Sequence, residues 1–407
     1  MTDSSPRCLR PQGGSSSRDL PVPGPELQSH SLQLVDRIRE AIAAHEGVID
    51  FRRYMEMVLY EPGLGYYSGG LNKLGREGDF VTAPEVSSLF SGALALQVAE
   101  VLASLDGGDC LEFGGGSGAM AADVLLELER QGQLPGEYAI LEISAELRDR
   151  QRKTLEARAG HLMDRVRWLD ALPTGFRGVV LGNEVLDAMP VRRFRIRDGE
   201  PRALGVGWDE AGRFVERETA ADSEMRASVA HIQSLNRVEL PEGYESEYNP
   251  NLPGWFAALG ESLEAGAIFL LDYGHPGPEY YAPERSMGTL ICHYRHRVHD
   301  DPFVYPGLQD ITANVDFTAV TEAAVNAGLA LAGYTSQANF LLGCGLSGLA
   351  ESAMAEADTE TQFALAGELK VLTMPNEMGE RFKAIAFAKG EIPPLRGFSL
   401  RDFSGQL

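Results

Sequence analysis

The run Glu112-Phe113-Gly114-Gly115-Gly116-Ser117-Gly118 concentrates the residue types most suited to holding a ligand against bare backbone. Glycines let the chain take φ values closed to other residues and bring peptide groups close to a bound molecule. Asp109-Cys110-Leu111 leads in like a buried strand, and Ala121-Ala122-Asp123-Val124-Leu125-Leu126-Glu127-Leu128 leads out with helical apolar spacing. The glycines therefore sit at a strand-to-helix turn, beside unpaired helix N-terminal amides, which is a nucleotide cradle. Gly114, Gly116 and Ala119 satisfy the G-x-G-x-x-G/A dinucleotide fingerprint, while Glu112, Gly114, Gly116 and Gly118 give the E-x-G-x-G-x-G pattern of S-adenosylmethionine enzymes. The acid two residues before the first glycine favours the second pattern, because a strand-end carboxylate attracts an amino group and repels a pyrophosphate. A plain glycine-rich turn is the alternative to both.

Further acids follow at suggestive positions. Tyr138-Ala139-Ile140-Leu141-Glu142 reads as a second strand ending about two dozen residues beyond the glycines, where one carboxylate accepts from both hydroxyls of a ribose. A solvent-facing strand end would also suit Glu142. Asp170, after a third strand, is expected near an adenine edge. A fourth strand, Gly178-Val179-Val180-Leu181-Gly182, runs into Asn183-Glu184-Val185-Leu186-Asp187-Ala188-Met189-Pro190. Asn183 there would orient a reacting partner, and Glu184 with Asp187 would present two carboxylates to one cation, a match to guanidinium. The competing reading makes Glu184 the N-cap of a following helix. Methyl transfer from a sulfonium is an in-line displacement, so aligning a nitrogen nucleophile is most of what such residues must supply.

The elements that position these residues alternate at βαβ spacing, with a helix over Ala145 to Ala159 and a third strand at Val166-Arg167-Trp168-Leu169, which predicts a parallel, doubly wound sheet. Upstream, helical patterns cover Leu32 to Ile42 and Phe51 to Tyr60. Gly78-Asp79-Phe80-Val81-Thr82-Ala83-Pro84-Glu85 reads as a loop closing on a helix start, with Thr82 and Glu85 spaced as a capping box and the helix running to about Leu105. That region caps the sheet edge or folds over a ligand as a lid. Beyond Val191 the alternation breaks into a hairpin, Arg193-Phe194-Arg195-Ile196 and Ala203 to Trp208 joined at Asp198-Gly199, then helices, before a fifth strand at Ala267 to Asp272. A long irregular stretch from Asp272 to about Asp310 carries His275, His293, His296 and His299, but Arg295 and Arg297 interleave and would repel a cation, so no metal is expected. Phe382 to Ala388 closes the fold as a late strand suited to antiparallel entry. The expected organisation is a disordered leader (1–30), a helical cap or lid (31–105), an α/β core (106–190), a hairpin-plus-helix insertion (191–265), the second half of the core with a long cleft loop and helical insertion (266–390), and a tail (391–407).

Composition narrows the function classes. At 407 residues, with 44% hydrophobic content, the chain builds a large core. A formal charge of −23 argues against general nucleic-acid binding and suits a basic partner. Cys8, Cys110, Cys292 and Cys344 form no C-x-x-C pair, so neither a zinc site nor a disulfide framework is indicated. No apolar run approaches the ~18 residues of a membrane helix.

Taken together, Tyr54-Met55-Glu56-Met57-Val58-Leu59-Tyr60-Glu61-Pro62-Gly63-Leu64-Gly65-Tyr66-Tyr67, the Gly78 to Glu85 loop, the Glu112 to Gly118 turn, the Asn183 to Pro190 motif, Leu271-Asp272-Tyr273-Gly274, and Gly288-Thr289-Leu290 with His293-Tyr294-Arg295-His296 resemble the MidA-like class I S-adenosylmethionine-dependent methyltransferases, from about Leu32 to Lys389. The resemblance implies a Rossmann-like seven-strand fold, S-adenosylmethionine as methyl donor, and a protein arginine side chain as acceptor. Its mitochondrial members are complex I assembly factors credited with symmetric dimethylation of a subunit arginine. Glu112, Gly114, Gly116 and Gly118 match the family's donor motif, Glu142 its strand-two acid, and Asn183, Glu184 and Asp187 its post-strand-four motif. Gly115 departs from the bulkier residue of many relatives and is expected to loosen the turn. The first thirty residues match nothing in the family and show no transit peptide, which favours a bacterial cytoplasmic setting. An assembly chaperone with a donor-stabilised partner surface and a small-molecule methyltransferase are the alternatives.

Overall fold

Short apolar runs buried on both faces, such as Val179-Val180-Leu181 and Ile268-Phe269-Leu270-Leu271, satisfy their backbone groups by pairing with neighbouring strands. In the computed structural model, which describes residues 6–9, 20–69 and 82–407, this produces a mostly parallel sheet. Along it run β1 (Asp109–Phe113), β2 (Tyr138–Leu141), β3 (Val166–Leu169), β4 (Phe176–Asn183), β5 (Leu263–His275), β6 (Ala330–Ser336) and β7 (Phe382–Lys389), in the order β6-β7-β5-β4-β1-β2-β3. Strand β7 is antiparallel to both β5 and β6, and the others pair in parallel. The direction of winding reverses between β1 and β4, and in open α/β sheets that switch point opens the ligand crevice at the strands' carboxyl ends.

Three helices attend the first strands: α1 (Ser88–Ser104), α2 (Ala119–Arg130) and α3 (Ala145–Ala159). Leu94, Val98 and Val101 of α1 and Val124, Leu125 and Leu128 of α2 enter one core with Cys110, Ile140, Val179, Leu181 and Phe269 of the sheet. The expected capping box does not form. Thr82 precedes a single turn, Ala83–Val86, without a side-chain cap, and the chain breaks at Ser87, whose hydroxyl accepts from Leu89 N–H to start α1. Gly78 to Val81 of that motif lie outside the described residues.

The chain divides into two units, Met1–Phe80 with Asp187–Asn251 and His275–Asp316, and Val81–Leu186 with Leu252–Gly274 and Phe317–Leu407. The sheet's switch point belongs to the second. In the first, strands Val48–Asp50, Glu200–Trp208, Arg192–Arg197 and Glu245–Tyr248 pair in that order, with Phe214–Ala220 added to Glu200–Trp208. The hairpin at Asp198-Gly199 forms as expected, both residues taking positive φ (53° and 74°) in the turn sense that matches strand twist. The chain expected as a leader contributes here: the helix starts at Pro25, and Leu9 and Leu20 are buried with Leu34, Ile38, Tyr54 and Val58. The stretch expected to be irregular contains a three-stranded sheet of Arg297–His299, Ile291–Tyr294 and Asp310–Thr312. Its register pairs His293 with Val298 and Cys292 with His299, which sends His293 and His299 to opposite faces, while His296 occupies the turn.

Leu125 of α2 is fully buried in the core that helices and sheet share in the second unit. Leu125→Ala should cost about 2–5 kcal/mol, read as a lowered urea midpoint with an unchanged slope.

Candidate donor and acceptor site

Between Phe113 of β1 and Ala119 of α2 the chain reverses through Gly114, Gly116 and Gly118, with φ of 61°, 52° and 85°. A Cβ on Gly118 would stand 2.9 Å from the Cα of Gln151 on α3, so conformation and space both demand glycine there. Gly115 does not loosen the turn as expected: its Cβ would meet Ile140 Cγ2 at 2.9 Å and the Gln151 amide at 3.2 Å. The backbone is tied by Gly114 N–H to Leu141 O (3.1 Å) and Gly118 N–H to Gly115 O (2.8 Å). Ser117 accepts from Ala119 N–H at 3.3 Å and donates to the Glu85 carboxylate. Glu85, read from the sequence as half of a capping box, thus reaches the glycine turn instead.

Glu112 is buried at the end of β1, in register with Leu181 and Ile140, and accepts from Tyr138 OH at 2.7 Å. Burial raises its carboxyl to about 7, against the lowering effect of the Tyr138 hydrogen bond. An ammonium close by would favour the ionised form, so this residue fits the amino group of a methionine moiety. Glu142 follows β2; its Oε1 accepts from Ser144 N–H (2.9 Å) and its Oε2 from Gln151 Nε2 (3.0 Å), the Ile143 N–H also bears on the carboxylate, and its acceptor capacity of about four lone-pair sites leaves room for a ribose hydroxyl. Burial raises this carboxyl too, restrained by the Ser144 and Gln151 bonds. Asp170 stands beyond β3 with its side chain 88% exposed, held by Arg148 at 2.6 Å. Sequence reasoning missed Ile143, an apolar side chain left 68% exposed directly after Glu142 and suited to the face of a base. The signal was an apolar residue following a strand-end acid.

At the carboxyl end of β4, Asn183 donates to Glu184 Oε1 at 3.1 Å, and its own Oδ1 is buried with no partner among the described residues. Glu184 takes φ of 51°, with its N–H on Leu271 O at 2.9 Å. No helix begins after it, so the N-cap reading fails. A non-glycine residue in the left-handed region costs on the order of 1 kcal/mol and persists where surroundings enforce it. The enforcement comes from Asp272 of β5, whose carboxylate accepts from Leu186 N–H and Tyr273 N–H, both at 2.9 Å. The second unit therefore gathers Glu112, the glycines, Glu142, Asp170, Asn183 and Glu184 at the ends of its parallel strands. Asp187 belongs to the first unit, where it is buried and its carbonyl accepts from Ala313 N–H at 3.0 Å. Nearby, Tyr67 OH lies 3.0 Å from both Asp310 oxygens, its ionisation held well above the usual range by burial, by Asp310 and Tyr60, and by Asp187. Tyr67 closes the Tyr54 to Tyr67 motif read from the sequence, but neither it nor Asp310 was given a role there.

Strand order, antiparallel β7, the glycine turn at the switch point and the acid closing β2 define a class I methyltransferase fold. Residues 93–335 match the family described as "Putative S-adenosyl-L-methionine-dependent methyltransferase". A crystal structure from Burkholderia thailandensis, of a protein bound to S-adenosyl-homocysteine, is 47% identical with a TM-score of 0.90, covering 95% of this chain and 100% of that one. Relatives include the Protein arginine methyltransferase NDUFAF7 homolog, mitochondrial, of Drosophila melanogaster (29% identity; 94% of this chain, 92% of that protein) and Protein arginine methyltransferase NDUFAF7, mitochondrial, of Homo sapiens (27%; 84% and 80%). The chain belongs to this MidA-like family of methyltransferases and uses S-adenosylmethionine as its cofactor. Among the described residues no helix is long and apolar enough to cross a membrane.

Because Glu112 has a raised carboxyl pKa in the fold, its ionisation opposes folding: stability falls as pH rises from the usual carboxylate range through about 7. In ligand-free protein, Glu112→Gln should therefore gain melting temperature relative to wild type progressively from pH 5 to pH 8; a constant difference would contradict this ionisation.

Proposed function

We propose that this methyltransferase acts on a protein arginine side chain, as the names of its Drosophila melanogaster and Homo sapiens relatives describe for those proteins. The observation that carries the reading is Glu184, an acid held in the left-handed region at the end of β4 with the Asn183 amide on its carboxylate. A guanidinium donates paired N–H groups and is cationic before and after methylation, so a fixed carboxylate both orients it and draws its charge away from the nitrogen that attacks, which gives up one proton as it gains the methyl group. Asn183, through its second amide atom, aligns the same group. S-adenosylmethionine, when bound, supplies an electrophilic methyl group; Glu112 and the glycine turn hold its methionine end, and Glu142 with Ile143 and Asp170 hold its nucleoside. The family resemblance extends the proposal to a complex I subunit as target and to symmetric dimethylation as outcome, in a bacterial cytoplasm.

Glu184→Gln should abolish methyl transfer while S-adenosylhomocysteine affinity stays within about threefold of wild type, since only the acceptor loses its counter-charge. Loss of donor-side binding in that variant would remove Glu184 from the acceptor role. Comparing proteomes with and without the protein by mass spectrometry should reveal a missing methylated arginine; a missing methyl mark on another residue type would overturn the substrate class.

A further inference from the structure

Helix α3 sends one fully buried polar side chain toward the sheet, Gln151. Its amide is engaged on both atoms. Nε2 donates to Gly116 O at 3.2 Å and to Glu142 Oε2 at 3.0 Å, and Oε1 accepts from Trp168 Nε1 at 2.8 Å. The reverse orientation would set its oxygen against two acceptors and its nitrogen against a donor, so these partners fix the amide's direction. Three segments meet on it: the glycine turn after β1, the acid after β2, and β3. A residue that merely filled this space would need no amide, because leucine or methionine brings similar volume without the cost of burying polar atoms.

We infer that Gln151 is a positioning residue for the methyl donor, holding the glycine turn and Glu142 in one fixed relation before the donor arrives. The inference rests on the assignment of Glu142 to the ribose hydroxyls. Two consequences follow from the geometry. In a trans peptide the carbonyl and the next N–H point in opposite directions, so holding Gly116 O against α3 directs Ser117 N–H to the other side of the turn. A hydrogen bond from Nε2 to Glu142 also favours the ionised carboxylate, the form that accepts from hydroxyls on both oxygens. The charges bearing on Glu142 are Arg148 of α3, whose guanidinium donates to the Glu142 carbonyl at 2.6 Å and pairs with Asp170, and Glu112 of β1, which is coupled to it.

Calorimetric titration of the full chain with S-adenosylhomocysteine between pH 8.5 and pH 6 tests this, using wild type, Gln151→Met, Trp168→Phe and Glu142→Gln. Gln151→Met should bind about tenfold more weakly at pH 8.5. Its deficit should widen as pH falls, because Glu142 without that donor takes up its proton at higher pH. Trp168→Phe, which removes the bond that orients the amide while keeping an aromatic ring, should show the same trend at about threefold. If Gln151→Met melts at lower temperature yet keeps the wild-type affinity and pH profile, the residue is only structural and the inference falls. Should that variant fail to fold, an unchanged affinity for Trp168→Phe across the pH range has the same force. Wild-type affinity in Glu142→Gln would instead overturn the ribose assignment, and would do so independently of the Gln151 result.

Discussion

Parallel pairing of β1 with β4 is the constraint from which the rest of the site descends. Cys110, Leu111 and Glu112 face Val179, Val180 and Leu181 across that pair, and all six are almost completely buried. Buried parallel strands cannot slip by a residue without turning their apolar side chains out of both layers. Their carboxyl ends therefore stay level, which puts the glycine turn and the Asn183-Glu184 corner side by side. Because β1 continues through α2 to β2 on one side while β4 lies on the other, the two loops diverge and leave a crevice. Val185 packs within this arrangement, the nearest atom to where a Cβ on Gly114 would lie, at 3.7 Å.

Much of this was legible in the sequence because its local signals agree with its tertiary ones. The helix at Ala145 to Ala159, the third strand and the Asp198-Gly199 hairpin were read at nearly their observed bounds, since period, length and turn chemistry converge there. Where the structure departed, a signal was ambiguous or carried by the wrong residue type. Arg295 and His296 take φ of 46° and 58° in a two-residue hairpin turn, positions that Asn-Gly usually fills, so nothing in their types announced a hairpin. Thr82 and Glu85 have capping-box spacing, yet Glu85 has a partner more than thirty residues away in Ser117, a tertiary contact that no local pattern encodes.

The candidate site shows the same division. Acids and glycines could be proposed because donor chemistry demands those types at strand ends. Gln151 and Ile143 could not, since a glutamine inside a charged helix and an isoleucine after a strand look ordinary until their surroundings are known. Their meaning arises from exposure that contradicts type: a buried amide and an exposed aliphatic side chain, nine residues and one residue beyond the same acid. Tyr67 with Asp310 belongs to the same class, joined across 243 positions of sequence.

Electrostatics separates the two units in a way that bears on their work. In the first, Arg192, Arg193 and Arg195 are matched by Asp50, Asp222, Glu216, Glu218 and Glu245, an ion-pair network that spends its charge on holding strands together. In the second, the oxygens of Glu112 and Glu142 are held by neutral donors: the Tyr138 phenol, the Ser144 amide and the Gln151 side chain. A neutral donor fixes a carboxylate's direction without cancelling its charge. Burial then keeps that charge costly until something cationic or multiply hydrogen-bonding arrives, which is why both carboxyls are raised in the ligand-free chain. On the proposed assignment, the ammonium and ribose diol of the methyl donor would bring what these two acids lack.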